Sequence, residues 1–258
     1  MILANHSRRF IPALLAVALS LAIAISQANA GLIHRYSFKD ATVKDSVGTV
    51  DGKLKGAAKI AEGKAVLENG AKTSDDANLS YIEFNSPVIP KSGSATLAIW
   101  ITLKAGEPFP RILDIGDSQG GSGQAFIYLT PRHDDDVSKA AITSTDTGSK
   151  TFIDGKRLDD GKSHMAVIVI DGTAKKFHFF IDGKEQGDAA DLGDNTLDKV
   201  TPSHSWIGRS GFDADPGLNG AIEEFRVYDQ ALSADEIAAA YKAGASALPV
   251  AGPTAAPK

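Results

Sequence analysis

Gly116-Asp117-Ser118-Gln119-Gly120 sets a serine between two glycines at the spacing of a nucleophile elbow. Such a serine works on a strained strand-to-helix turn, with a histidine base beside it and backbone amides for the oxyanion. Here Gly121, Ser122 and Gly123 follow, and then a strand-like run, so the segment reads as a Gly/Ser-rich hairpin loop. Gly155 with Gly161-Lys162-Ser163 imitates a phosphate loop. The spacing is one residue too long, and a strand pattern follows where a helix N-terminus is needed. Glycoside hydrolysis needs two carboxyls facing each other at roughly 5–10 Å. No Glu-x-Asp-x-Glu run occurs, and the adjacent Glu223 and Glu224 are expected on opposite faces of a strand. Acids converging from distant strands stay open as an alternative.

Metal chemistry has few candidates. His133-Asp134-Asp135-Asp136 is the densest acidic cluster. Oxygen-rich loops suit calcium, but calcium takes about 6–8 oxygens, and this run alone does not wrap one. His34, His164, His178 and His204 stand singly, without an HExxH pairing, which argues against zinc. The absence of cysteine excludes disulfides and thiolate metal sites. No catalytic constellation emerges, and the expectation is a binding protein rather than an enzyme.

The elements that must position these residues are mostly strands. Over Ala95 to Leu103, Leu97, Ile99, Ile101 and Leu103 face one way, and Thr96, Trp100 and Thr102 the other. Period two marks a strand with one buried face. His164 to Ile170 is apolar on both faces and predicts a central, covered strand. Lys176 to Ile181 puts Phe177, Phe179 and Ile181 on one side, His178 and Phe180 opposite. Further strands are expected at 32–38, 64–68, 80–84, 110–115, 124–130, 139–143, 205–208 and 221–228. Asp-Gly pairs at 51–52, 154–155, 160–161, 171–172 and 182–183, and Asn-Gly at 69–70 and 219–220, supply turn chemistry. Many short strands without intervening helices indicate an antiparallel sandwich or jelly roll. One helix is expected near the end: Ser233-Ala234-Asp235-Glu236 is a capping box, Ile237, Ala240 and Tyr241 follow on one face, and Gly244 can end it.

Residues 1–30 read as a signal peptide: Arg8 and Arg9, an apolar run from Phe10 to Ile25, then Ala28-Asn29-Ala30 as a cleavage site. The expected mature chain starts at Gly31, with a folded domain over 31–245 and an Ala/Pro-rich tail over 246–258. The net charge is −5 for 258 residues, and losing Arg8 and Arg9 makes the remainder more acidic by two. That balance argues against nucleic acid and anionic membranes as partners. No later segment is apolar and long enough to span a bilayer.

Several segments, taken in order, carry a resemblance. Leu32-Ile33-His34-Arg35-Tyr36-Ser37-Phe38 with Asp45-Ser46-Val47-Gly48 looks like an opening strand and loop. Arg111-Ile112-Leu113-Asp114-Ile115-Gly116, His164-Met165-Ala166-Val167 and Phe180-Ile181-Asp182-Gly183 look like middle strands. Trp206-Ile207-Gly208-Arg209-Ser210, the run from Gly220 to Tyr228, and Ala231 to Ile237 complete the order. Together, from Leu32 to Gly244, they resemble the concanavalin A-like lectin/glucanase superfamily in its laminin G-like, pentraxin-like bacterial branch.

The resemblance implies an all-β fold, a two-sheet antiparallel jelly-roll sandwich with the short C-terminal helix. It implies ligand binding at loops or on a concave sheet face, often to glycans and sometimes to proteins. The expected function is an exported lectin-like domain, secreted, periplasmic or at the cell surface, that recognises carbohydrate or a cell-surface glycan. The alternatives are a glycoside-active enzyme of the same fold and an adhesive or structural domain that binds protein. Segments 114–124, 131–137 and 209–219 are the expected contact loops, with Arg209, Asp213 and Asp215 as partners for sugar hydroxyls. Tyr81, Tyr128, Phe152, Trp206 and Phe212 are the candidate stacking rings. The resemblance also implies a calcium site, with Asp40 and Asp45 from the first loop and Glu223 from the closing strand. Lys39 and Glu223 stand where relatives carry aspartate.

Overall fold

The computed structural model describes residues 31–91, 93–144 and 149–247. The signal peptide read at 1–30 and most of the 246–258 tail lie outside the described residues. Among the described residues, sixteen strands follow in chain order. The first five are β1 (Leu32–Tyr36), β2 (Gly52–Lys55), β3 (Lys59–Ala61), β4 (Lys64–Leu67) and β5 (Tyr81–Phe84). Next come β6 (Ala95–Leu103), β7 (Leu113–Gln119), β8 (Ser122–Thr130), β9 (Ser138–Thr143) and β10 (Thr151–Gly155). The last six are β11 (Ser163–Asp171), β12 (Lys176–Ile181), β13 (Lys184–Glu185), β14 (Ala190–Asp191), β15 (His204–Ile207) and β16 (Gly220–Tyr228). Helix α1 (Ala234–Ala243) closes the fold. No helix among the described residues is long and apolar enough to cross a membrane.

The strands form two antiparallel sheets, as the alternation and turns predict. One has nine strands, ordered β13-β12-β11-β6-β16-β4-β3, with β1 also on β16 and β14 also on β12. The other has seven, ordered β10-β9-β8-β7-β15-β5-β2. The inward set of each strand meets in one core. Leu97, Ile99 and Ile101 of β6 and Phe177 and Phe179 of β12 pack with Ile115, Ile127 and Ile142 from the facing sheet. Trp100 and Phe180, on the other face of the nine-stranded sheet, form a second cluster with Ile237 and Ala240 of α1. The helix therefore covers the back of that sheet. Ser233 caps it with the predicted box, its Oγ accepting from the Glu236 amide while Glu236 accepts from the Ser233 amide. Tyr241, expected on the packed face, is 44% exposed.

Two expectations are corrected. Asp51-Gly52, Asp154-Gly155 and Asn219-Gly220 are not turns, because each glycine lies in a strand. A Cβ on Gly52 would come within 2.5 Å of Val43, and one on Gly155 within 2.6 Å of the Phe179 ring, so close approach is what these glycines provide. Glu223 and Glu224 do not point to opposite faces. A bulge between Ile222 and Glu224 shifts the register of β16 against β6. Glu223 then reaches Thr102 and Lys64, and Glu224 pairs opposite Trp100, both away from the core.

Candidate ligand-binding site

The outward face of the seven-stranded sheet concentrates the chemistry. Strand register aligns one row across it: Phe152, Ala141, Tyr128, Asp114, Trp206, Glu83 and Lys53. Period two places these residues opposite Ile115, Ile127 and Ile142, which point into the core. All five candidate stacking rings lie on this face or on the loop that crosses it. Tyr81 and Tyr128 are buried, yet neither belongs to the inter-sheet core.

The loop after β15 folds over the row. The Gly211 amide donates to Asp114 Oδ2 at 3.0 Å, and Ser210 Oγ donates to Asp215 Oδ2 at 2.6 Å. Arg111, buried at 5% exposure, lies across the middle. Its Nη2 sits 3.1 Å from Asp215, and its Nη1 donates to the Phe109 carbonyl at 2.8 Å. Its guanidinium carbon stands 4.3 Å above the Tyr128 ring and 5.7 Å from that of Phe212. Arg111 Nε is buried 3.7 Å from Asp114 Oδ2, with no hydrogen bond among the described residues.

Around Arg111 opens a pocket of about 260 Å³. Phe109, Phe126, Tyr128 and Phe212 wall it, and Arg111, His133, Lys150 and Asp215 supply polar atoms. Sites for drug-sized ligands run roughly 300–1,000 Å³, so this one suits a single ring and its substituents. Phe109 holds φ at +74°, a costly conformation for a bulky residue, and its amide donates to the Arg132 carbonyl at 2.9 Å. Burial, opposed by Arg111, raises the Asp215 carboxyl above the usual range. Burial also pushes the Tyr128 hydroxyl up to about 12.

A second aromatic stretch continues along the face. His204 stacks on Trp206 at 3.8 Å and bonds Asp114 Oδ1 through Nε2 at 2.8 Å. Arg209 lies 4.5 Å over Trp206 and 5.0 Å over Tyr81, and donates to the Tyr81 hydroxyl at 3.0 Å.

The structure thus brings Arg209 and Asp215 onto one face. Asp213 is exposed at the loop tip, its amide donating to the Gly121 carbonyl, and it does not line the pocket. Ser118 lies in β7, and the Gly120-Gly121 turn joins it directly to β8, as the hairpin reading requires. The expected metal ligands fall in separate settings. Asp45 accepts from the amides of Arg35, Val47, Gly48 and Val50 and bonds His34 Nδ1. Glu223 accepts from Lys64 Nζ at 2.9 Å and Thr102 Oγ1 at 3.1 Å. Asp40 is exposed and accepts from the Thr42 amide. His133, Asp134 and Asp135 do bring ligand atoms together at the rim of the pocket. Arg111, Phe109, Phe126 and Lys150 were not singled out as site residues by sequence. The spacing of Phe126 and Tyr128 by two, on a strand whose alternate residues are aliphatic, is the signal that marks them.

A family model described as the concanavalin A-like lectin/glucanases superfamily matches residues 76–238, more than half of the chain. No curated protein matches the sequence. Among solved structures, domain 4 of AbnA, an extracellular GH43 arabinanase from Geobacillus stearothermophilus in complex with arabinotriose, is similar. It is 19% identical with a TM-score of 0.63, over 81% of this chain and 97% of that one. A botulinum neurotoxin type C structure, whose cell entry depends on two ganglioside molecules, is 14% identical with a TM-score of 0.61, over 84% of this chain. The binding domain of botulinum neurotoxin DC in complex with rat synaptotagmin II is 15% identical with a TM-score of 0.60, over 82% of this chain. The chain spans about half the length of these toxin chains, 52% and 51%. At these identities the likeness establishes the fold.

Proposed function

The chain belongs to the concanavalin A-like lectin/glucanases superfamily, and from that premise we propose that it is an exported, lectin-like domain that binds carbohydrate without chemically altering it. The observation that carries this reading is the aromatic-walled pocket around Arg111 on the outward sheet face. Pyranose rings present apolar C–H patches that stack on aromatic faces, and hydroxyl edges that need fixed polar partners. Phe212 and Phe109 supply half-exposed rings, and Arg111 and Asp215 supply the polar groups. The carbohydrate contacts of the arabinanase domain and of the type C toxin support the same reading for a chain of this fold.

A binding role is favoured over hydrolysis because the acids on this face are already engaged. Asp114 accepts from Gly211 and bonds His204, and Asp215 is tied to Arg111 and Ser210. Export rests on the 1–30 pattern, and N-terminal sequencing of secreted protein should begin at Gly31.

The test is a glycan array with purified 31–258, followed by titration calorimetry on the best ligand. Phe212→Ala should weaken binding about tenfold, the order of one aromatic contact, with the fold retained and only a modest drop in melting temperature, since the ring also packs on Phe126. No binding to any glycan on the array would overturn the reading.

A further inference from the structure

One cation lining the pocket has no paired carboxylate among the described residues. Arg111 is matched by Asp215 at 3.1 Å and, from beneath, by Asp114 at 3.7 Å. Lys139 is matched by Asp154 at 3.4 Å. His133 turns its Nδ1 to Asp134 and Asp135. Lys150 lines the pocket, half-buried, and among the described residues no carboxylate pairs with it. Its ammonium lies 6.0 Å from the Phe152 ring, which Lys139 approaches at 4.7 Å from the other strand. Burial, and then the like charges of Lys139 and Arg111, hold the Lys150 ammonium below the ordinary lysine range against the weaker opposing pull of Asp154 and Asp134. An anion in the pocket would relieve the repulsion and replace the lost hydration. Arg111 Nε faces Asp114 beneath, so the buried guanidinium brings its charge to this place rather than a free bond.

We propose that the pocket selects a sugar ring bearing an anionic oxygen group, with the ring against Phe212 and Phe109 and the anion at Lys150 beside Arg111. This rests on the carbohydrate reading and names the ligand's charge. A uronic carboxylate and a sulfate ester share the required chemistry. Neutral glycans lack the group that Lys150 needs.

The experiment uses 31–258 on an array holding uronic-acid oligosaccharides beside their carboxyl-reduced forms, and sulfated galactans beside their desulfated forms. Binding confined to acidic members is the expected result, and the pair that responds identifies carboxylate or sulfate. Lys150→Met should then weaken that ligand at least about tenfold, the size of one lost charge-assisted hydrogen bond, while Lys150→Arg stays within about threefold. The fold should be unaffected, because Lys150 makes no ion pair among the described residues. Equal binding of acidic and neutral partners, or unchanged affinity in Lys150→Met, overturns the proposal and leaves the carbohydrate reading standing. Failure of every glycan, neutral and acidic, overturns both.

Discussion

At the residue scale, ionised groups in this protein are mostly held by donors rather than left free for chemistry. Glu224 is fully buried between Arg35, at 2.6 Å and 3.3 Å, and Arg226, at 2.6 Å. Arg226 in turn stands 4.6 Å over the Trp100 ring and donates to the carbonyls of Ala245 and Ala247. Removing the carboxylate strands a guanidinium with no exposure to water. Glu224→Ala should cost about 3–5 kcal/mol in urea denaturation, the range for breaking one side of a buried pair. An unchanged midpoint would show that Arg35 and Arg226 rearrange freely. Asp45 is a similar case with amides as partners. Calcium at Asp40, Asp45 and Glu223 stays a proposal whose ion would have to displace Lys64 from Glu223 and the amide donors from Asp45. The geometry predicts no rise in melting temperature when millimolar calcium is added to metal-stripped protein. A clear rise, abolished by Asp45→Asn, would reverse that expectation.

At the element scale, helix α1 is held at both levels that its sequence advertises. The capping box satisfies the amides of Glu236 and Ser233, and Ile237 and Ala240 rest on Trp100, Met165 and Phe180. Ser233→Ala should lower stability by about 1 kcal/mol, a typical N-cap loss. A null effect on the melting temperature would mean that packing alone holds the helix. The box was legible because its residues act within four positions, as was the alternation of β6, β11 and β12, whose inward apolar residues are all buried. The edge strands β2, β3, β10, β13 and β14 were not, because each is only two to five residues long, too short for an alternation to show. The bulge at Glu223 is equally invisible to local pattern, since only the opposing register of β6 defines it. The site was half legible for the same reason. Tyr81, Trp206, Tyr128, Phe152 and Phe212 stand out by type, and Arg209 and Asp215 by loop composition. Arg111 precedes β7, and its place over Tyr128 depends on the β7–β8 pairing and on the loop that crosses them.

At the scale of the whole molecule, a cysteine-free sandwich relies on its core and on the loops its carboxylates organise. Five acids sit below the usual carboxylate range: exposed Asp40 and Asp135, held by Thr42 and His133, and then Asp45, Asp160 and Asp182. Burial works against Asp45, but the Gly48 amide, His34 and the Arg35 and Val47 amides outweigh it. The Lys162 amide, with His164 and Lys162 side chains, draws Asp160 down to about 2. Burial likewise opposes Asp182, and Lys156, His164 and the Met165 amide prevail. A carboxyl lowered in the folded state binds protons more weakly there than in the unfolded chain. Its stabilisation is fully present above the unfolded value, about pH 4, and is lost as pH falls through the folded value. Asp215, raised by burial, has the opposite sign, because protonation relieves a cost that only the folded state bears. Five lowered acids against one raised acid give a net loss, so the melting temperature should hold above about pH 4 and drop steeply from there toward pH 2. Asp182→Asn tests the assignment directly. Asparagine tolerates the positive φ of 52° at this position, so the turn is kept while the charge is removed. The variant should melt lower than the parent at neutral pH and converge with it in acid, as its lost contribution disappears from the parent too. Parallel melting curves for the two proteins down to pH 2 would remove Asp182 from the acid limb.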